Sequence, residues 1–313
     1  MSDQRSEIIS IFRFFWLAQI CHNIRYLYVK NCDRDNSELI TLIEAQKNLQ
    51  YFKCNFGIHT KPAHLIPCKG IGEALTKQAH SLISILLSYP IKIHLSKLEY
   101  VNLKILKIDG AITTNNCIQE ANLPNLEHLE FNHNNIGGAT MIIRSTKGNL
   151  KVIKIKYRHL NSKEENLMYI QAITQYCPNL NSATLFFCGD NIELKELEKL
   201  FLNCLQLERL VLINNCLYTN TFACDRLLEL LATYAFLRLS SLKLGYISFS
   251  TKGLKTFFEK WKERKPPLIS LYIHCKCFKE QVNMINDYLE EGIIKKFVFL
   301  KHNDDFFFDW NEY

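Results

Sequence analysis

A repeated leucine spacing constrains the fold of this chain more than any other feature of its sequence. The clearest copy reads L-x-x-L-x-L-x-x-N-x-I and starts at Leu126, with Leu129 and Phe131 as its second and third apolar residues. Nine further copies, several of them partial, begin at Ile24, Leu49, Leu82, Leu103, Leu150, Leu180, Leu207, Leu239 and Leu268. The mean spacing of these copies is about 27 residues, within the roughly 20–29 residues of leucine-rich repeats. A last copy through Ile294, Phe297 and Phe299 is also predicted.

Segments with helical periodicity separate the repeated strands. Leu254, Phe257, Phe258 and Trp261 fall at i, i+3, i+4 and i+7, which places them on one face of a helix. Because a single strand–helix unit of this size cannot bury its apolar face alone, successive units must stack and share one core. The pattern therefore predicts an α/β fold, a leucine-rich-repeat solenoid (horseshoe) with a parallel concave β-sheet and convex helices.

Composition agrees with one ordered repeat domain. The 313 residues are 48% hydrophobic and carry a net charge of +7, which excludes an intrinsically disordered chain. No apolar run reaches about 18 residues, so no membrane-spanning helix is predicted. We predict an N-terminal capping helix in residues 1–20, about 10–11 repeats in residues 21–301, and an acidic, aromatic tail or cap in residues 302–313.

The twelve cysteines are too sparse for a disulfide-stapled secreted scaffold. Five of them occupy two repeat positions, Cys21, Cys177 and Cys204 before the first leucine and Cys32 and Cys188 after the strand. We interpret these five as buried small hydrophobic residues. With no recognisable signal peptide and no Asn-x-Ser/Thr sequon, the sequence favours a reducing compartment, the cytoplasm or the nucleus.

Two segments resemble the cysteine-containing leucine-rich repeats of F-box proteins, CPNLNSATLFFC at 177–188 and NCLQLERLVLINN at 203–215. The long, irregular repeats look like the expanded F-box/leucine-rich-repeat families of fungi. The resemblance implies that the repeats hold a protein substrate while an F-box docks on the Skp-type adaptor of a cullin ubiquitin ligase. No F-box itself is expected in this sequence, because its first proline is Pro62 and only about 20 residues precede the first repeat.

The partner-binding residues are predicted from strand alternation. Residues between the core leucines point away from the helices, where a partner could contact them. Eight of the charged residues at these positions are basic and two, Asp109 and Glu130, are acidic, so most of the net charge lies there. The predicted partner-binding residues are Tyr26, Tyr28, Lys30, Tyr51, Lys53, Lys107, His128, Lys154, Lys156, Phe186, Arg209, Lys243, Tyr272 and Lys296. An ordinary solvated strand surface on a basic protein is the alternative interpretation.

Catalytic and metal sites are not predicted. The serine-hydrolase, Walker A, zinc-protease and dinucleotide-binding motifs are absent from the sequence. The clusters around His274, Cys275 and Cys277 and around Cys54, His59 and His64 lack the paired spacing of a zinc site. We therefore expect no enzyme activity, metal or cofactor.

Two charged segments have more than one interpretation. The basic run Lys252 to Lys265 around Trp261 could touch nucleic acid or anionic lipid, but it is better explained as the solvated face of a helix. The segment 302–313 holds four acids, four large aromatic residues besides its terminal tyrosine, and no lysine or arginine. It is expected to cap the last repeat or to bind a basic surface as a linear peptide.

These observations predict a protein-binding module whose partner carries an acidic segment. By resemblance, its expected role is substrate recognition for a Skp–cullin–F-box ubiquitin ligase, with the Skp-type adaptor as a further partner where an F-box is supplied. A free-standing scaffold or adaptor without a ubiquitin role is the main alternative. An anion receptor for nucleic acid or polyphosphate is a third, although nucleic acid is not favoured, and no membrane partner is expected.

Overall fold

The computed structural model describes residues 14–30, 32, 34–55, 68–88, 100–109, 122–132, 136–156, 162–214, 221–234, 238–264, 268–274 and 279–299. Within these ranges the strands are β1 (Tyr26–Val29), β2 (Tyr51–Cys54), β3 (Ser84–Ser88), β4 (Ile105–Asp109), β5 (His128–Asn132), β6 (Val152–Lys156), β7 (Ser182–Phe187), β8 (Arg209–Asn214), β9 (Ser241–Gly245), β10 (Ile269–His274) and β11 (Ile294–Phe299). The helices in the same ranges are α1 (Phe14–Ile20), α2 (Ser37–Glu44), α3 (Lys69–Lys77), α4 (Ile136–Arg144), α5 (Lys163–Tyr176), α6 (Asn191–Asn203), α7 (Thr221–Tyr234), α8 (Thr251–Glu263) and α9 (Lys279–Glu290).

The eleven described strands form one open sheet in chain order, β1 to β11, which confirms the predicted α/β repeat solenoid. In strands β1 to β5, the register aligns the second apolar residue of each repeat. These residues are Leu27, Phe52, Ile85, Leu106 and Leu129. In strands β6 to β11, the register aligns Ile153, Ala183, Leu210, Leu242, Leu271 and Phe297 in the same way. All of these residues except Phe297 are buried, so the repeat spacing set the strand register correctly.

The chain divides into two compact units, each with its own packing. Unit 1 comprises Met1–Leu150 and Ile155–Tyr157, and unit 2 comprises Lys151–Lys154 and Arg158–Tyr313. Helices α1 to α3 pack side by side in unit 1, and α5 to α9 do so in unit 2. Parallel strands joined by helical crossovers of one hand place those helices on one face of a sheet. We call the other face, formed by the alternate strand residues, the open face of each unit.

The predicted helix faces are buried where the structure describes them. Leu254, Phe257, Phe258 and Trp261 of α8 lie in the core of unit 2. In the predicted N-terminal capping helix, the described part is α1, whose Phe14 and Ala18 are buried and which packs on α2. Residues 1–13 and the predicted tail or cap at 302–313 lie outside the described residues.

Side chains cap the N-termini of two helices in unit 2, α6 and α8. Asp190 caps α6, and Glu193 reaches back to the backbone N–H groups of Cys188 (2.9 Å) and Asp190 (3.3 Å). At α8, the Ser250 hydroxyl accepts from the Gly253 N–H at 2.8 Å. These bonds satisfy backbone donors that a helix leaves unpaired at its start. The buried Glu193 is therefore accounted for as a structural acid.

An asparagine ladder links successive repeats of unit 1. The residue before the first leucine of a repeat is Asn102, Asn125 or Asn149, and each side chain donates to a carbonyl of the preceding repeat. The acceptors are the carbonyls of His80 (2.7 Å), Val101 (2.6 Å) and Pro124 (2.8 Å). Sequence reasoning did not identify this ladder, although the recurring Asn-Leu pair was its signal.

Candidate partner-binding surface

The predicted partner-binding residues lie on strands of both units, and the structure separates them into two groups. In unit 1, strands β1 and β2 bring five of them together. We call this group, Tyr26, Tyr28, Lys30, Tyr51 and Lys53, the tyrosine–lysine patch.

Tyr26 and Tyr51 form an exposed aromatic stack at the start of β1 and β2. They are direct register partners, and their ring centres are 4.3 Å apart with an angle of 4° between the planes. Tyr26 remains 60% exposed. A hydrogen bond with the Tyr51 side chain raises the pKa of Tyr26. The pair thus presents a rigid apolar surface with hydroxyl groups at its edge.

The two lysines of the patch flank a third tyrosine. The Nζ atoms of Lys30 and Lys53 lie 5.5 and 4.7 Å from the centre of the Tyr28 ring. These distances fall within the range of cation–π attraction. The Asn55 amide donates to the Tyr28 hydroxyl at 3.0 Å, which fixes the ring that both ammonium groups share. The two lysines are therefore held at the ring of Tyr28, on the same strands as the Tyr26–Tyr51 stack.

Farther along the open face of unit 1, Glu130 contacts Lys107 and His128. Its Oε2 lies 3.0 Å from the Lys107 Nζ and 3.6 Å from the His128 Nε2. Burial raises the pKa of Glu130, but hydrogen bonds from His128 and Lys107 and the nearby Lys107 and Lys156 charges outweigh it and lower the pKa to about 2. Lys107, predicted as a partner-binding cation, thus lies in an internal ion pair.

The remaining predicted residues belong to unit 2, and half of them are buried. Phe186 is 0% exposed, Lys243 4% and Tyr272 7%, whereas Arg209 and Lys296 are half-buried. The Nζ atoms of Lys243 and Lys296 lie 5.3 and 5.9 Å from the Tyr272 ring centre. Lys154, the other unit 2 cation in the predicted set, is half-buried on β6. The alternation of side chains along each strand predicted that these residues lie on the open face. It did not predict that they would be buried there.

Three of the four lysines of α8 pair with acids instead of forming a free basic surface. The Lys260 Nζ lies 2.7 Å from Glu229, and the Lys262 Nζ lies 2.8 Å from Glu291. Lys255 lies 3.7 Å from Glu259 one turn along the same helix. With the apolar face of α8 buried, these contacts favour the interpretation of this segment as the solvated face of a helix.

One cysteine departs from the predicted reduced state. Cys188, predicted to be a buried small hydrophobic residue, is buried and disulfide-bonded. The other described cysteines are free thiols, and Cys204 Sγ donates to the Cys177 carbonyl at 3.3 Å.

Within the described part of the chain, no three His, Cys, Asp or Glu side chains converge to hold a metal ion. Of the two His/Cys clusters in the sequence, His59, His64, Cys275 and Cys277 lie outside that part. None of the described helices has both the length and the apolar character needed to cross a bilayer.

Comparison with known proteins leaves the repeat fold as the basis for inferring function. No protein-family model matches the chain, and no curated protein matches its sequence. The F-box resemblance therefore remains a prediction from the repeat segments alone.

Proposed function

We propose that the chain is a protein-binding module that captures an acidic segment of its partner on the tyrosine–lysine patch. The observation that carries this proposal is the exposed Tyr26–Tyr51 stack beside two lysines on a sheet face without a described helix. Tyrosine supplies a large contact area with few rotatable bonds, and it is enriched in the residues that dominate binding energy. Lysines at the margin of such an anchor attract and orient an acidic partner.

An acidic protein segment fits the patch better than a nucleic acid does. Strong binding to nucleic acid uses many phosphate contacts, whereas the patch offers two ammonium groups. Asp109 and Glu130 lie on the same open face of unit 1 and oppose a long polyanion. A short acidic segment can contact Lys30 and Lys53 without reaching those carboxylates.

Selection from a random 12-residue peptide library on the full-length protein tests this proposal. Selected peptides should be enriched in Asp and Glu, and calorimetry should show binding that weakens at least about tenfold in K30E/K53E and in Y26A/Y51A. The matched control is K69E/K255E, which makes the same charge change at exposed helix lysines. That variant should bind the peptides as the wild type does.

Two results would contradict the proposal. One is a selected set without acidic enrichment, and the other is equal binding by wild type and K30E/K53E. Steep salt dependence with generic single-stranded RNA would instead support the anion-receptor alternative.

Substrate recognition for a Skp–cullin–F-box ligase is the specific role that we propose on the basis of the repeat resemblance. Co-purification with a recombinant Skp-type adaptor tests this role separately from peptide capture. If the adaptor does not bind while acidic peptides do, the free-standing scaffold is the better description.

A further inference from the structure

Helices α6 and α7 of unit 2 are separated by a surface groove. Its volume is about 260 Å³, and we call it the α6–α7 groove. These two helices pack against each other less extensively than α5 packs on α6 or α7 packs on α8, which accounts for the gap between them. The residues that line the groove are Asn191, Leu194, Lys195, Glu198, Arg226 and Leu230.

The groove brings together two cations from different helices. Lys195 of α6 and Arg226 of α7 are both exposed, and within the part of the chain that the structure describes neither forms an ion pair with a carboxylate. The Arg226 Nη1 donates to the neutral Asn191 Oδ1 at 3.0 Å, so the position of the guanidinium is fixed while its charge is not neutralised. Lys199, one turn farther along α6, differs because it pairs with Glu196 at 2.7 Å.

Glu198, the acid that lines the groove, is held by a tyrosine of the neighbouring helix. The Tyr234 hydroxyl hydrogen-bonds with the Glu198 carboxylate, which raises the pKa of Tyr234. Because Tyr234 is the last residue of α7, this bond joins the two helices near their C-terminal ends. Two basic residues and one acidic residue therefore line the groove, and its net charge is positive.

Exposed apolar side chains flank both cations. Phe222 lies one turn before Arg226 on α7 and is 70% exposed, and Ile192 lies three residues before Lys195 on α6 and is 57% exposed. Residues three or four apart share one face of a helix, so each apolar side chain lies beside a cation. Single exposed apolar residues are ordinary, whereas apolar surface grouped with charged residues around a groove is typical of an interaction site.

We propose that the α6–α7 groove binds a short segment of a partner protein in which an Asp or Glu adjoins a large apolar residue. The carboxylate of the segment pairs with Lys195 and Arg226, and its apolar side chain packs against Phe222. The groove is smaller than the roughly 300–1,000 Å³ of small-molecule sites, so it holds one or two side chains and not a whole cofactor. Glu198 in the same groove opposes a polyanion such as nucleic acid.

This inference is independent of the proposed function, which rests on the tyrosine–lysine patch of unit 1. It assigns a second interaction surface to the chain, on helices of unit 2. The two surfaces share a preference for acidic segments, but only the groove requires an apolar residue next to the acid.

Titration of the capped dipeptide acetyl-Asp-Phe-amide into the full-length protein, followed by backbone amide NMR, tests the proposal. We expect saturable shifts of amide signals in α6 and α7. Acetyl-Asn-Phe-amide lacks the carboxylate and acetyl-Asp-Ala-amide lacks the ring, and each should bind the groove at least about fivefold more weakly. Shifts in β1 and β2 would report on the tyrosine–lysine patch separately.

Variants of the groove provide the second part of the test. K195Q/R226Q and F222A should each weaken the binding of acetyl-Asp-Phe-amide at α6 and α7 by at least about fivefold. K199Q is the matched control, because Lys199 is an exposed lysine of α6 that does not line the groove. K199Q and K30E/K53E should both bind the dipeptide at α6 and α7 as the wild type does.

The proposal is overturned if the α6 and α7 amides of the wild type show no saturable shift. It is also overturned if acetyl-Asn-Phe-amide binds there as tightly as acetyl-Asp-Phe-amide. Both results come from the unaltered protein, so they do not depend on a variant folding. Equal binding by the wild type and K195Q/R226Q would likewise contradict the proposed role of the two cations.

Discussion

At the scale of single residues, Glu130 shows how a strand surface can look basic in sequence and be partly neutralised in the fold. Counting charges along the open face treated Lys107 as available to a partner. The register places Lys107 directly beside Glu130 on the next strand, and the two side chains form an ion pair at 3.0 Å. Pairing between neighbouring strands therefore has to be known before a charge can be assigned to a binding surface.

The Glu130 ion pair predicts a specific dependence of stability on pH. Because the pKa of Glu130 is lowered from about 4.5 to about 2, its carboxylate stabilises the fold above about pH 4.5. That contribution is lost as the pH falls from 4.5 towards 2. E130Q should lower the free energy of unfolding at pH 7 by roughly 1–3 kcal/mol, with the difference from wild type shrinking over this acid range. Urea denaturation at a series of pH values measures both effects.

E73Q is the control for this variant, because Glu73 is half-exposed and pairs with Lys69 at the surface of α3. It should change the stability little at any pH. Parallel pH profiles for wild type and E130Q would show that Glu130 does not contribute in this way.

At the scale of elements, strand register and helix faces were predictable because they depend on local periodicity. Leu210 aligns with Ala183 and Leu242, as the repeat frame predicts. Contacts that depend on neighbouring repeats were not predictable in the same way. Asp225 of α7 accepts from the Ser250 N–H at 2.8 Å and from its hydroxyl at 2.6 Å, a pairing between residues 25 apart.

The start of α8 provides a test of this contact between repeats. A Cβ at Gly253 would collide with the Asp225 carboxylate. Alanine in a helix normally gains up to about 1 kcal/mol over glycine, but here we expect G253A to destabilise the protein by roughly 1–3 kcal/mol. The displaced Asp225 would also lose its bonds to Ser250. Thermal and urea unfolding of the variant measure the change.

A double-mutant cycle with D225A separates the collision from other effects. In the D225A background, G253A should cost less than it does in the wild type, because the carboxylate that it would displace is absent. K252A, at the neighbouring exposed position, serves as the control. Additive effects of D225A and G253A would contradict the proposed coupling.

At the scale of the whole molecule, the repeat architecture followed from the sequence, whereas the accessible part of the candidate surface did not. Alternation correctly placed Lys243 and Tyr272 on the open face, beside each other on adjacent strands. Their burial depends on what covers that face, and strand periodicity carries no information about a cover. The exposed Tyr26–Tyr51 stack likewise required the register of β1 and β2 to be known.

Stability in stacked repeats is largely a sum of interactions between neighbours, and this predicts a local response to core substitutions. L210A, at a fully buried position in β8, should cost about 2–5 kcal/mol. Hydrogen exchange followed by mass spectrometry should rise most in β7 to β9. L106A, at the equivalent buried position in β4, should instead affect β3 to β5 most. A uniform rise across all strands in both variants would contradict the local model.

The in-register pairing of successive strands also bears on how such a chain can change in length over generations. Ser182 and Arg209 occupy equivalent positions, 27 residues apart. Removal of residues 182–208 would leave β8 to pair with β6 in the alignment that β7 now has, and duplication of the same stretch would insert a strand without shifting its neighbours. A gene of this kind can gain or lose whole repeats while each remaining strand still pairs in register with its neighbour. An insertion of one residue within a strand would instead move its leucines to the opposite face of the sheet.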